Sequence, residues 1–443
     1  MVLQDQLQNI IEEAIKLSNS WKNAGKIGKS GHLYMRHEVY KIEYKEGEMR
    51  VHDEFPVIKK KEWRDDDIAK LVGSLKNKPL FRNLIKLIAE RYNLDVFRSE
   101  FLLSQLLQKV VTESLDREIN LEKIKEYVGL FIKDLEGKPI EWKIKVWLVG
   151  ILMDVEEIEI EKGVIIRRPN PSDFEWERPY PVLTRGPPAY PTAILEIKKQ
   201  LKIHSYVYPE IEKMILTLQL YRVGSVKNIL IEWEPKSILQ SKGARGSSRK
   251  RWSSIYKYTL DENDKEKLPK FVSKIKDRLP TETETGRLIT SCTIGAAISQ
   301  YIEALTSLES ISHKINYTIT GLKHLFFKKG ENERDSHRFA QRIAKILDLS
   351  DEELSRIYHF IEKSYNLKPQ FIYDFSTKIE LSEENKDILD SLIEYLRRAI
   401  LVFLQMNEDQ EYLLTLADKA ASDMQAEQML HDLTNERVET LGG

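Results

Sequence analysis

Gly28-Lys29-Ser30, within AGKIGKSGH at residues 24–32, has the residue types that bind phosphate in a P-loop. There, backbone amides of a glycine-rich turn cradle the phosphates and the lysine reaches the terminal ones. The complete motif needs a glycine five residues before Gly28, but position 23 is Asn. It also needs a strand before and a helix after, whereas this stretch follows a helical pattern and opens a strand-like one. A flexible basic turn is the expected reading.

The histidines do not gather either. His32 and His37 lie on one strand of an expected hairpin, with His52 and Asp53 on its partner. An odd separation puts the first two on opposite faces of a strand. His313, His324, His337 and His359 fall on different expected helices, and His359-Phe360-Ile361-Glu362 has no second such pair beside it. No metal site and no cofactor are expected. Cys292, the single cysteine, sits in the apolar stretch SCTIGAAI and reads as a small buried hydrophobe. No Gly-x-Ser-x-Gly elbow occurs, and no Ser-His-Asp or Cys-His arrangement is visible.

The strongest candidate is KSILQSKGARGSSRKRWSSIYKY, beginning at residue 236. It holds Lys236, Lys242, Arg245, Arg249, Lys250, Arg251 and Lys257 and no acid, with Trp252, Tyr256 and Tyr258 directly following the charge. Positive charge attracts phosphates in a salt-sensitive way, and aromatic faces stack on unpaired bases. RNA or DNA is therefore the expected ligand, held by Lys242, Arg245, Arg249, Lys250, Arg251, Trp252 and Lys257. The plain competing reading is a solvated loop whose tyrosines return to a sheet.

The elements that would position these residues follow from periodicity. Residues 1–142 read as mostly helical, with a hairpin over HLYMRHEVYKIEYKEGEMRVHDEF and helices near 80–92, 96–115 and 121–135. Residues 143–282 read as a mixed α/β domain carrying the basic loop, with a turn at Lys162-Gly163 and Pro209 in the first turn of a helix. Residues 285–406 read as a helical bundle and 407–443 as a helical tail. Ser350 with Glu353 forms a capping box. The expected fold class is α+β and multidomain: mainly helical, with a central mixed α/β domain and a C-terminal helical bundle.

The chain has 443 residues, a mass of 51.9 kDa and a net charge of -1. One cysteine excludes an intramolecular disulfide framework and a four-cysteine zinc site. The N-terminus carries acids within its apolar pattern, unlike a signal peptide. Apolar runs such as VWLVGILM are too short to cross a membrane, so a cytoplasmic protein without membrane partners is expected. High Lys, Glu and Ile usage points to a thermophile.

ISHKINYTITGLKHLF, then SHRFAQRIAKILDL, then ELSRIYHFIEKSYNLKPQFIYDF and a long closing helix follow one another in order. This order resembles the HEPN domain of the ApeA-like branch, a helical bundle of prokaryotic defence and toxin proteins. The preceding VWLVGILMDVEEIEIEKGVIIRRPNPSDFE is similar to the β-containing segment often found before such domains. The resemblance spans about residues 145–406. It implies metal-independent RNA cleavage by an Arg, then four to six residues, then a His, paired across a dimer interface. Arg would stabilise phosphate charge and His would shuttle protons. In this chain Lys368 stands at the Arg position and Tyr373 at the His position. Lys loses the bidentate fork, and a tyrosine is a poor base at neutral pH. Arg356 and His359 are too closely spaced to replace them.

The resulting expectation is a non-catalytic, nucleic-acid-associated accessory subunit of a prokaryotic antiviral defence system. It would join a defence effector, of Argonaute or CRISPR type, or form a homodimer through the HEPN-like domain. The alternatives are an endoribonuclease with an altered site at Lys368 and Tyr373, and a structural adaptor that binds no nucleic acid.

Overall fold

Apolar residues at helical spacing organise the first segment. Leu3, Leu7, Ile10, Ile11 and Ala14 share one side of α1 (Val2–Asn23) and are buried. The computed structural model describes residues 2–27, 33–45, 48–54, 57–60, 65–170, 173, 176–179, 191–202, 207–246, 256–280, 293–307, 310–332, 335–367, 383–406 and 410–438.

α1 packs against α2 (Asp65–Lys76), α3 (Pro79–Tyr92), α4 (Val96–Asp116) and α5 (Leu121–Leu135). The carboxylate of Asp95 caps α4 by accepting from the Arg98 amide at 2.7 Å, and Asn120 caps α5 through the Lys123 amide at 2.9 Å. The left-handed Gly137, φ 60°, and then Pro139 stop α5. α2 adds to the expected elements. Three aspartates open it, which suits a helix N-terminus, and Ile68, Leu71, Val72 and Leu75 supply its buried stripe. The predicted hairpin is present as β1 (Leu33–Lys45) and β2 (Glu48–Glu54), with Lys45 opposite Glu48. β3 (Val57–Lys60) pairs with β1.

A second architecture begins at β4 (Ile140–Val149), followed by β5 (Ile151–Met153), β6 (Glu157–Glu161) and β7 (Val164–Arg167). The turn between β6 and β7 is Lys162-Gly163, with Gly163 at φ 80°. β8 (Trp176–Pro179) joins β1, whereas β9 (Ala193–Leu201), β10 (Lys227–Pro235) and β11 (Gly243–Gly246) complete a six-stranded antiparallel sheet. Its order is β11-β10-β4-β9-β7-β6. β12 (Tyr258–Leu260) pairs in parallel with β5 outside this sheet.

Alternation along β4 buries Trp142, Ile144, Val146 and Leu148 on one face and turns Lys143 and Lys145 to the other. α6 (Tyr208–Tyr221), opened by Pro209 as expected, and α7 (Asp264–Ile275) contribute Ile211, Leu218, Leu268 and Phe271 to the core on the apolar side.

Seven more helices follow: α8 (Thr293–Thr306), α9 (Ile311–Phe326), α10 (Ser336–Leu347), α11 (Asp351–Leu367), α12 (Glu383–Gln405), α13 (Gln410–Lys419) and α14 (Met424–Val438). At α11 the predicted capping box forms. The Glu353 carboxylate accepts from the Ser350 amide at 2.9 Å, and the Glu353 amide donates to the Ser350 hydroxyl at 3.3 Å. Sheet and helices share one continuous core from Ile140 to Leu430, while the first 135 residues have their own, which also takes in Ile238. Each fully buried Leu or Phe contributes about 1.5–3 kcal/mol. The chain is therefore mainly helical with one antiparallel sheet. None of its described helices is long and apolar enough to cross a membrane.

Candidate nucleic-acid interface

The basic segment is fastened at three places. At its start, Ser237, Ile238 and Leu239 turn over the Asp134 carboxylate at the end of α5. Asp134 accepts from the Ser237 hydroxyl at 2.9 Å, the Ile238 amide at 2.8 Å and the Leu239 amide at 3.0 Å. Lys109 of α4 donates to the Ser237 carbonyl at 2.7 Å, and Ile238 is buried in the helical core. Charge-assisted bonds of this kind are about twice as strong as neutral ones.

The second fastening is β11, the sheet's edge strand. Gly243 pairs with Trp233 and Arg245 with Ile231. The Trp233 indole lies over Gly243, where an added Cβ would come within 2.6 Å of the ring, so a residue without a side chain is required. The Arg245 guanidinium sits 5.6 Å from the centre of the Tyr208 ring, in cation–π range.

The third fastening is Tyr256. Its hydroxyl donates to Asp390 of α12 at 2.8 Å, and its carbonyl accepts from the Ser225 amide at 2.8 Å. Burial, followed by the Asp390 carboxylate, pushes the Tyr256 phenol far above its ordinary pKa. Lys314 of α9 is fully buried beneath it. The ammonium lies 6.0 Å from the Tyr256 ring centre and has no hydrogen-bond partner among the described residues. Desolvation pulls its pKa below the usual lysine range.

Of the residues expected to contact nucleic acid, Lys242, Arg245 and Lys257 are exposed and make no ion pair among the described residues. Arg249, Lys250, Arg251 and Trp252 lie outside the described residues, as do Cys292, Lys368 and Tyr373. Tyr256 and Tyr258 are not base-stacking surfaces. Tyr258 is buried and donates to the Leu218 carbonyl at 2.8 Å. Periodicity alone could not reveal Asp134, Ser225 and Asp390 as anchors, because each is far in sequence from the residue it holds. Gly28-Lys29-Ser30 lies outside the described residues, between α1 and β1, so a helix precedes it and a strand follows.

A separate charged centre is closed upon itself. Arg167 of β7 makes a two-bond fork with Asp173, both bonds 2.7 Å, and reaches Glu196 of β9 at 2.7 Å; Lys145 of β4 adds a 2.8 Å bond to Asp173. Burial works to raise the Asp173 carboxyl, but the bonds from Arg167, the Asn170 amide and Lys145 hold it at about 2. Both oxygens of Asp173 are occupied, so the cluster clamps its loop to the sheet. Among the described residues, no group of three His, Cys, Asp or Glu could hold a metal ion.

No family model, curated protein or solved structure matches this chain.

Proposed function

We propose that this protein is a non-catalytic, nucleic-acid-associated subunit of a prokaryotic antiviral defence system. The observation that carries the reading is the threefold fastening of an acid-free basic segment, with Lys242, Arg245 and Lys257 exposed around its anchors. Restraining the ends lowers the entropy lost when the intervening Arg249–Trp252 stretch closes on a phosphate backbone. The HEPN-like order of the helical region supports the assignment to defence and a role in protein contact, with a second copy or an effector as partner.

The test is binding of labelled single-stranded RNA and DNA across a salt series. Charge reversal at Arg249, Lys250 and Arg251 is expected to weaken binding. It should also flatten the salt dependence by about two in log–log slope, given roughly 0.7 per phosphate contact on a single strand. Wild-type affinity and slope in that variant would remove the segment from the interface.

A further inference from the structure

The start of α4 is apolar on two sides. Its core-facing stripe runs through Ser99, Leu103, Leu106, Leu107, Val110 and Val111, all buried. Phe97 and Phe101 lie one turn apart on the other side. At about 100° per residue, the midline between them points directly away from buried Ser99. Phe97 is 81% exposed, Phe101 54% and neighbouring Val96 61%. Among the described residues, no other helix exposes two large apolar side chains one turn apart.

Neither phenylalanine starts the helix, because the Asp95 carboxylate supplies the cap. A helix with a second apolar side needs a second surface against it. The three side chains expose on the order of 350 Å², within the range of the largest apolar patch on a monomer and a little under half of the ~800 Å² that one partner gives to a standard interface. That is the size of an apolar interface centre, with a polar rim supplying the rest.

The rim selects the partner. Arg98 stands about 80° to one side of the Phe97–Phe101 midline and Glu100 about 80° to the other. Arg98 is exposed and has no ion pair among the described residues. Glu100 accepts from Lys76 of α2 at 2.7 Å through one oxygen, Oε1. The stripe therefore has one basic and one acidic flank. A nucleic acid, or any partner of a single charge sign, would be repelled by one flank. A second copy of the chain matches both. When two stripes meet about a two-fold axis parallel to the helices, each Arg98 falls beside Glu100 of the other copy. A two-fold axis across the helices would set like charges together on both flanks.

We infer that the start of α4 is a self-association surface. Two copies pair their Phe97–Phe101 stripes with the helices side by side in the same direction, and Arg98 and Glu100 of opposite copies close each flank. This is independent of the nucleic-acid reading, and it places a second copy on the N-terminal helices rather than on the HEPN-like region.

The experiment is sedimentation equilibrium of the full-length protein without nucleic acid, with far-UV circular dichroism as the folding control. Wild type is expected to reach the mass of two chains as concentration rises. Phe97→Ser with Phe101→Ser should keep the wild-type spectrum and dimerise roughly thirty-fold more weakly or worse, the scale of an interface hot spot. Arg98→Glu should weaken dimerisation by about tenfold, by placing like charges on both flanks. A single-chain mass for wild type up to its solubility limit would overturn the inference, as would an unchanged dimer in the double variant. In a Cys292→Ser background, Phe97→Cys should form a disulfide with its own copy under mild oxidation, because a parallel axis brings position 97 to position 97. Cross-linking only between mixed Phe97→Cys and Phe101→Cys copies would overturn the parallel arrangement.

Discussion

Lys143 of β4 stands directly opposite Lys198 of β9, and both are exposed, while the next pair on the same face sets Lys145 against Glu196. Like charges so placed lower sheet stability, and an opposite pair contributes roughly 0.2–1 kcal/mol. Lys198→Glu should therefore stabilise the fold by about that amount, seen as a higher urea midpoint at unchanged m-value. A lower midpoint would show that the repulsion is not felt in the native sheet.

Arg167 and Asp173 make the opposite case, a buried pair with complete geometry. Asp173→Asn leaves Arg167 short of a counter-charge and should cost about 3 kcal/mol. The pH dependence has a definite sign. Asp173 is held at about 2 against an ordinary 3.8, so the folded state favours its charged form. Its contribution is complete above about pH 4 and disappears as pH falls through about 2. Urea unfolding of wild type and Asp173→Asn should accordingly converge below about pH 4. A constant difference from pH 6 to pH 2 would contradict the assignment.

Arg342 of α10, almost fully buried, ties the last helices down. It donates to both Asp418 oxygens at 2.7 Å, to Glu331 at 2.6 and 2.8 Å, and to the Phe326 carbonyl at 2.8 Å. Lysine cannot reproduce this fork. Arg342→Lys should destabilise by about 3 kcal/mol, and hydrogen exchange should rise first in residues 410–438. Uniform exchange across the chain would argue against a local tie.

Two glycines should respond with opposite signs. Gly150 has φ 92°, and a Cβ there would lie 2.5 Å from the Ser225 carbonyl oxygen. Gly150→Ala should cost about 1–3 kcal/mol and also loosen Tyr256, which Ser225 holds. Gly73, inside α2, has nothing within 4 Å of an added Cβ. Gly73→Ala should stabilise by about 0.5–1 kcal/mol. Melting temperatures of the two variants decide both statements.

RNA incubated with the full-length protein in EDTA should remain intact, and Tyr373→Phe should leave binding unchanged. Cleavage that Tyr373→Phe abolishes would replace the non-catalytic reading with an altered ribonuclease.

Local patterning foretold much of the architecture. Helix stripes such as Leu3–Ala14, the Ser350–Glu353 capping box, the Pro209 helix start and the alternation of β4 all depend on residues within a few positions of one another. Short-range sterics and hydrogen bonding decide these, so one sequence suffices. The charge of the segment beginning at Lys236 was equally visible. Strand order and register were not. That Lys143 meets Lys198, that Asp134 and Asp390 hold the two ends of the basic segment, and that Tyr256 and Tyr258 turn inward rather than toward a ligand depend on contacts between distant residues. Such contacts follow from how whole faces bury together, and a charge pattern read along the chain carries no information about which strand will lie beside which. The sequence by itself determined that a basic segment exists; only the packed sheet and bundle decided where it is fastened.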